Sequence, residues 1–293
     1  MSQPISPSLR PYRSVLYIPG SKPRALEKAR SLPVDAIIFD LEDAVSPDEK
    51  AQARDTLFEA LTQGGYGDRA KLIRINGFDT DWGADDLARL AGAGADGILL
   101  PKVGSPADLD DLRQRMQAAG FPDTPVWAMI ETCEGVLNAA AIAAAEGLAG
   151  FVLGTNDLAK ELGCRTRADR LPLMTSLQHS LLAARAQGVV ALDGVYNAFK
   201  DEDGLRIEAQ QGRDLGYDGK TLIHPAQVAI ANAAFAPSDD EIDLARRQIA
   251  AFEAASAEGQ GVAVVDGSIV ENLHVETARK TLAAAEAIAR MDA

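Results

Sequence analysis

Short apolar runs recur along the chain, each followed by a longer segment with helical spacing. The runs are residues 14–18 (SVLYI), 36–41 (AIIFDL), 71–76 (KLIRIN), 97–102 (GILLPK), 126–131 (VWAMIE), 151–157 (FVLGTND), 189–195 (VVALDGV) and 219–224 (GKTLIH). Their length and β-branched content, with turn residues at their ends, predict strands. Segments 22–32, 87–93, 106–119, 135–145, 172–187 and 203–215 carry helical spacing between them. Another helix start is written at 46–49: Ser46 as N-cap, Pro47 at the first helical position and Glu49 placed to complete a capping box, with the helix running to about Gln63. Eight strands alternating with helices predict an α/β fold, a (β/α)₈ TIM barrel. An open doubly wound sheet is the competing architecture, but no GxGxxG follows the first strand.

After Pro225 the pattern changes. Residues 238–257 predict an amphipathic helix, 262–265 and 268–270 a hairpin around Asp266-Gly267, and 274–289 an Ala-rich helix. The expected division is therefore an extended arm at 1–12, a barrel at 13–235 and an extension at 236–293. The extension is expected to pack across the barrel mouth or onto a neighbouring subunit.

In such barrels the active site lies at the C-terminal ends of the strands. Those ends carry Asp40, Glu42, Asp43, Arg74, Asn76, Lys102, Glu131, Asp157, Asp193, Lys220 and His224. Glu131 and Asp157 each end a strand-like run, and Mg²⁺ commonly takes only one or two protein carboxylates, so this pair can hold one divalent cation. Otherwise Asp157 caps a helix at 158–162 and Glu131 sits in an ion pair. Arg74 stands in an otherwise apolar run, where an unpaired guanidinium is costly. It can grip a carboxylate or enolate oxygen with its fork of donors, or form a structural salt bridge to Glu42 or Asp43. His224, before Pro225, reads as a structural histidine. The loop Pro19-Gly20-Ser21-Lys22, with Arg13 and Arg24, offers a helix start that can hold phosphate, or simply solvated charge.

The net charge of −14 argues against nucleic acid or an anionic membrane as the main partner. No apolar run approaches a membrane span, and residues 1–12 lack the order of a secretory signal, so a cytoplasmic location is expected. Cys133 and Cys164 have neither metal-ligand spacing nor a second pair, and neither is expected to react.

The segments RSVLYIPGS, FDLEDAV, LIRING, ETCEG, GTNDLAKELG and DGKTLIHP together resemble the citrate-lyase β-subunit-like family, which includes malyl-CoA lyases. The resemblance runs from about Arg13 into the tail. It implies a Mg²⁺-dependent barrel, with Mn²⁺ as a possible substitute, acting on short 3-hydroxy-dicarboxylic acyl-CoA esters such as malyl-CoA. It also implies a homo-oligomer, a trimer or a multiple of one, in which the tail of one subunit closes the site of another. Carried onto this chain, Glu131 and Asp157 are the metal ligands, Arg74 and Glu131 contact substrate, and the PGS loop with Arg13 and Lys22 receives the CoA phosphates.

One departure bears on the reaction. Lyases of this family usually place an Asp after a Gly-Lys-Met-Ile-like turn in the tail, whereas here Gly267-Ser268-Ile269-Val270 leads to Glu271. Misplacement by about 1 Å can cost roughly a hundredfold in rate. Thioester hydrolysis is therefore the expected reaction, with Glu271, Glu42 or Asp43 as general base. Carbon–carbon cleavage to an acyl-CoA and a 2-oxo acid is the alternative, and a non-catalytic acyl-CoA-binding subunit is the third reading.

Overall fold

The fold is described for residues 10–291, except Pro122, of a computed structural model. Positions 1–9 of the expected arm lie outside the described residues.

The unit Tyr12–Phe235 is built on eight parallel strands: β1 (Ser14–Pro19), β2 (Ala36–Asp40), β3 (Ala70–Arg74), β4 (Gly97–Leu100), β5 (Val126–Ile130), β6 (Leu148–Leu153), β7 (Val190–Asp193) and β8 (Gly219–Leu222). Each pairs with the next, and β8 pairs back onto β1, so the sheet closes into a barrel as expected. Around it lie α1 (Pro23–Ala29), α2 (Lys50–Gln63), α3 (Gly83–Leu90), α4 (Pro106–Ala119), α5 (Cys133–Leu137), α6 (Ala139–Ala143), α7 (Thr155–Leu162), α8 (Met174–Gln187), α9 (Glu202–Leu215) and α10 (Val228–Phe235).

Side chains alternate between the two faces of a strand, and that alternation sorts the core. Val15, Ile38, Leu72, Trp127, Val152 and Leu192 cluster inside the barrel. The intervening Leu16, Ile37, Phe39, Ile73, Ile98 and Phe151 belong to the larger core shared with the helices. Trp127 is the largest fully buried side chain, and glycines on both flanking strands make room for it. A Cβ on Gly150 would lie 2.5 Å from its ring, and one on Gly97 2.8 Å. Two residues further along the inward face of β1, β2, β3 and β5 stand Tyr17, Asp40, Arg74 and Met129. The pattern that fills the floor thus also furnishes the mouth.

Several boundaries differ from expectation for local reasons. Residues Pro47–Glu49 form a 3₁₀ turn before α2, and Ser46 makes no side-chain cap; its hydroxyl contacts Glu49 Oε2 instead (3.2 Å). The helix expected at 135–145 is two short ones meeting at Asn138. The helix α10, directly after Pro225–Gln227, was not anticipated, because its Ala-rich sequence carries little amphipathic signal.

The residues from Ala236 onward belong to a second unit, with α11 (Asp239–Ala257), β9 (Ala263–Val265), β10 (Ser268–Val270) and α12 (Asn272–Met291). Ser238 and Glu241 exchange reciprocal capping bonds at the start of α11. Asp266 and Gly267 take positive φ of 50° and 77°, the conformation a two-residue hairpin turn requires. Ala263, Val270 and Val275 form a small core. Val264 and Ile269 face each other across the hairpin and are 66% and 62% exposed.

Candidate active site

Arg74 organises the mouth. It pairs in register with Asp40 on the neighbouring strand, and the side chains lock as a fork: Nε donates to Oδ1 at 2.7 Å and Nη2 to Oδ2 at 2.6 Å. Asp40 is further held by the backbone N–H groups of Glu42 and Ala44. The remaining nitrogen, Nη1, lies 2.8 Å from Glu42 Oε2 in an ion pair and 3.5 Å from Asp43 Oδ2. The salt bridges weighed from the sequence are therefore present, and Asp40 outranks both as a partner. Burial alone would weaken the guanidinium's charge, but the facing carboxylates win and raise its pKa.

Glu131 follows β5 and is 1% exposed. Its Oε1 accepts the backbone N–H of Lys102 at 2.8 Å, and Lys102 adopts a left-handed φ of 53° there. Its Oε2 is buried with no hydrogen-bond partner. Burial pushes the carboxyl pKa up to about 7, with Glu42 and Asp157 adding to the rise and the Lys102 N–H and Arg74 opposing it. An orphaned, buried carboxylate oxygen is costly, and a cation at that position would satisfy it. Asp157 lies in the first turn of α7, neither ending β6 nor capping a helix as the sequence reading had it. Gly154, where the chain enters α7, is pressed against Glu131: a Cβ there would fall 2.3 Å from Oε2. Among the described residues no group of three or more His, Cys, Asp or Glu side chains is arranged to hold a metal ion. The two hard oxygen donors Glu131 and Asp157 nonetheless suit Mg²⁺, which completes its shell with water and substrate oxygens.

A cavity of about 290 Å³ opens here, lined among others by Tyr17, Asp43, Arg74, Met129, Asn156 and Asp157. A second, of about 320 Å³, shares Thr155, Asn156 and Val195 with it and has Arg165 and Arg167 in its wall.

Other expected residues are placed elsewhere. Arg13 precedes β1, at the end of the strand opposite the mouth, where its guanidinium is buried against Asp35 (Nη2–Oδ1 2.8 Å). It is no phosphate ligand at the PGS loop, because a strand's two ends lie on opposite sides of the barrel. Lys22 is exposed and pairs with Glu49 at 3.1 Å, and Arg24 is exposed. Glu42 bridges Arg74 and Lys102 (Nζ–Oε1 2.6 Å), with its pKa raised by burial. Asp43 is exposed and faces the cavity. Asp193 and Lys220 form a closed ion cluster with Arg170 and Glu208. His224 stacks on Phe199, and its Nδ1 accepts the Ala226 N–H, a structural role. The Cys133 thiol has its pKa raised by burial and by Glu161, so it is no ready thiolate. Glu271 is exposed in the second unit, its backbone N–H donated to His274 Nδ1.

Lys50 escaped the sequence reading. Its Nζ donates to Leu41 O, Glu42 O and Asn76 Oδ1, each at 2.7 Å, clamping the segment that carries Glu42. A lysine in the first turn of an amphipathic helix looks like ordinary surface charge. Only the closed barrel shows what it reaches.

The HpcH/HpaI aldolase/citrate lyase family profile matches residues 13–225. The chain belongs to that family. Among its members, a (3S)-malyl-CoA thioesterase of Cereibacter sphaeroides is 63% identical over 97% of this chain and 98% of its own. The citrate lyase β subunit of Escherichia coli is 36% identical, covering 94% of each chain. The crystal structure of the family protein CitE from Mycobacterium tuberculosis, in complex with magnesium, acetoacetate and coenzyme A, superimposes with a TM-score of 0.78 at 31% identity, over 95% of this chain and 99% of that one. Structures of relatives in this family have been solved with magnesium bound. Among the described residues no helix is long and apolar enough to cross a membrane.

Proposed function

We propose that this enzyme hydrolyses (3S)-malyl-CoA to (S)-malate and CoA with Mg²⁺ as cofactor. The observation that carries the reading is the gathering of Arg74, Asp43 and Asp157 round one cavity, beside the orphaned oxygen of Glu131. The substrate is supported by the full-length likeness to proteins named (3S)-malyl-CoA thioesterase.

Glu131 and Asp157 would hold the cation, which supplies an anchor for the acyl group's carboxylate and hydroxyl oxygens. The Lys102 N–H fixes one Glu131 oxygen and leaves the other for this purpose. Arg74, immobilised by Asp40, presents Nη1 to the thioester carbonyl and stabilises the oxyanion as water adds. Asp43 is the better placed of the two strand-end bases, because Glu42 is committed to Arg74 and Lys102. It takes the proton of the attacking water. The thioester C–S bond then breaks, and the departing sulfur takes the proton held by Asp43 and leaves as free CoA, which returns Asp43 to its carboxylate. The region from Ala236 onward would contribute Glu271 to the site of a neighbouring copy in a homo-oligomer. The exposed Val264–Ile269 pair supports such a contact.

The test is an incubation with (3S)-malyl-CoA and Mg²⁺, following free thiol and glyoxylate together with an EDTA control. Thiol without glyoxylate is expected. Glyoxylate without thiol would instead make this a lyase, the activity in the name of its 36%-identical relative, the L-malyl-CoA/β-methylmalyl-CoA lyase.

A further inference from the structure

Tyr17 holds an inward position of β1, two residues beyond the buried Val15 and two before Pro19, which pairs with Asp40. Its ring lies beneath Arg74, with the guanidinium carbon 5.0 Å from the ring centroid, and it lines the same cavity. Among the described residues its hydroxyl has one hydrogen-bond partner, Met129 Sδ at 4.0 Å. A thioether is a weak acceptor, so the hydroxyl hydrogen is poorly satisfied.

Arg74 Nη1 points at the same sulfur, 3.7 Å away. Its other neighbours are two carboxylates. Asp43 Oδ2 lies at 3.5 Å, and Glu42 Oε2, though close enough for an ion pair, accepts no hydrogen bond. Two donors from adjacent parts of the mouth therefore converge on one soft, displaceable atom. Met129 is unbranched and flexible, and it also lines the cavity. Two donors whose one shared acceptor is a thioether have the form an oxyanion hole takes before its substrate oxygen arrives.

We propose that Tyr17 O–H and Arg74 Nη1–H together receive the thioester oxygen as it becomes negative, which makes Tyr17 a catalytic residue of the hydrolysis. This rests on the hydrolase reading of the cavity. Burial raises the phenol's pKa well above its ordinary value despite the opposing charge of Arg74, so the group stays a donor throughout the working range. The step needs no proton from Tyr17. The carbonyl π electrons move onto oxygen as the water oxygen bonds to carbon, both donors shorten their bonds to that oxygen, and they relax when the C–S bond breaks.

The deciding variant is Tyr17→Phe, which keeps the ring under Arg74 and removes only the O–H. Loss of one such donor is expected to lower kcat by about 10²–10³-fold. KM for (3S)-malyl-CoA, the affinity for Mg²⁺ by calorimetry and the melting temperature should stay near wild type. A kcat equal to wild type overturns the proposal, and so does a change confined to KM, which reports uniform binding rather than a transition-state contact. A fall in melting temperature that tracks the fall in kcat also overturns it, because the hydroxyl would then be structural. Wild-type enzyme that releases no thiol overturns the hydrolase reading and the proposal with it. Wild-type turnover with an unimpaired Tyr17→Phe overturns the proposal alone.

Discussion

Gly154 and Glu131 touch so closely that a methyl group on the glycine would lie 2.3 Å from Oε2 and 2.4 Å from Cβ of the glutamate. Gly154 also opens α7, which carries Asp157. Gly154→Ala must therefore displace the Glu131 side chain or the start of that helix. Overpacking of this kind costs about 1–3 kcal/mol, and the variant is expected to melt lower and to bind Mg²⁺ more weakly by calorimetry. Unchanged Mg²⁺ affinity would remove Glu131 from the cation site.

The cation itself can be tested without substrate. A ligand present at 100 times its Kd stabilises a fold by about 2.7 kcal/mol, so Mg²⁺ should raise the melting temperature of the wild-type protein and EDTA should reverse it. Asp157→Ala should lose that rise and most of its thiol release. Full activity of this variant in EDTA would end the metal assignment.

Arg74 cannot be removed cleanly. Arg74→Ala leaves Asp40, 1% exposed, as a buried charge without its fork, and breaking such a pair costs about 3–5 kcal/mol. Arg74→Lys keeps a charge but not the bidentate geometry. Denaturant unfolding should show a large loss for the alanine variant, and the lysine variant should fold with strongly reduced kcat. A fully active lysine variant would show that the planar fork is unnecessary.

Acid stability should depend on Asp193. Burial would raise its pKa, but Lys220 and Arg170 prevail and hold it below the ordinary value. A depressed folded-state pKa contributes stability that is complete above the unfolded value, about 3.9, and is lost as pH falls through the folded one. Asp193→Asn should therefore be less stable at neutral pH by about 3–5 kcal/mol, because two buried cations keep only Glu208. Its stability should also fall less steeply than wild type below about pH 4. Parallel curves for the two proteins in denaturant melts across that range would contradict the assignment.

The barrel was legible because its strands are short and strongly apolar, and the period-two alternation that buries Ile38 and Leu72 also turns Asp40 and Arg74 inward. Arg74 stood out as a charge inside an apolar run. Tyr17 did not, since an aromatic residue in a strand has a sufficient reason to be there as packing. The register of β2 on β3, which sets Asp40 beside Arg74, depends on closure and is invisible in a linear pattern. Arg13 misled because closeness in sequence to the PGS loop hides a full strand length between them, and Asp157 because an apolar run read through Gly154 conceals where strand gives way to helix.

Both tryptophans, Trp82 and Trp127, and all five tyrosines fall between Tyr12 and Phe235, whereas the chain from Ala236 onward has Phe252 as its sole aromatic residue. Emission excited at the indole band therefore reports on the barrel alone, with Trp127 wedged in its floor between Gly97 and Gly150 as the buried fluorophore. Far-ultraviolet dichroism sums over the helices of both units. A denaturation followed by the two signals in one cuvette thus carries an internal clock: coincident transitions mean that the units melt as one cooperative body, and a dichroism change that precedes the spectral shift of Trp127 means that the C-terminal helices let go first.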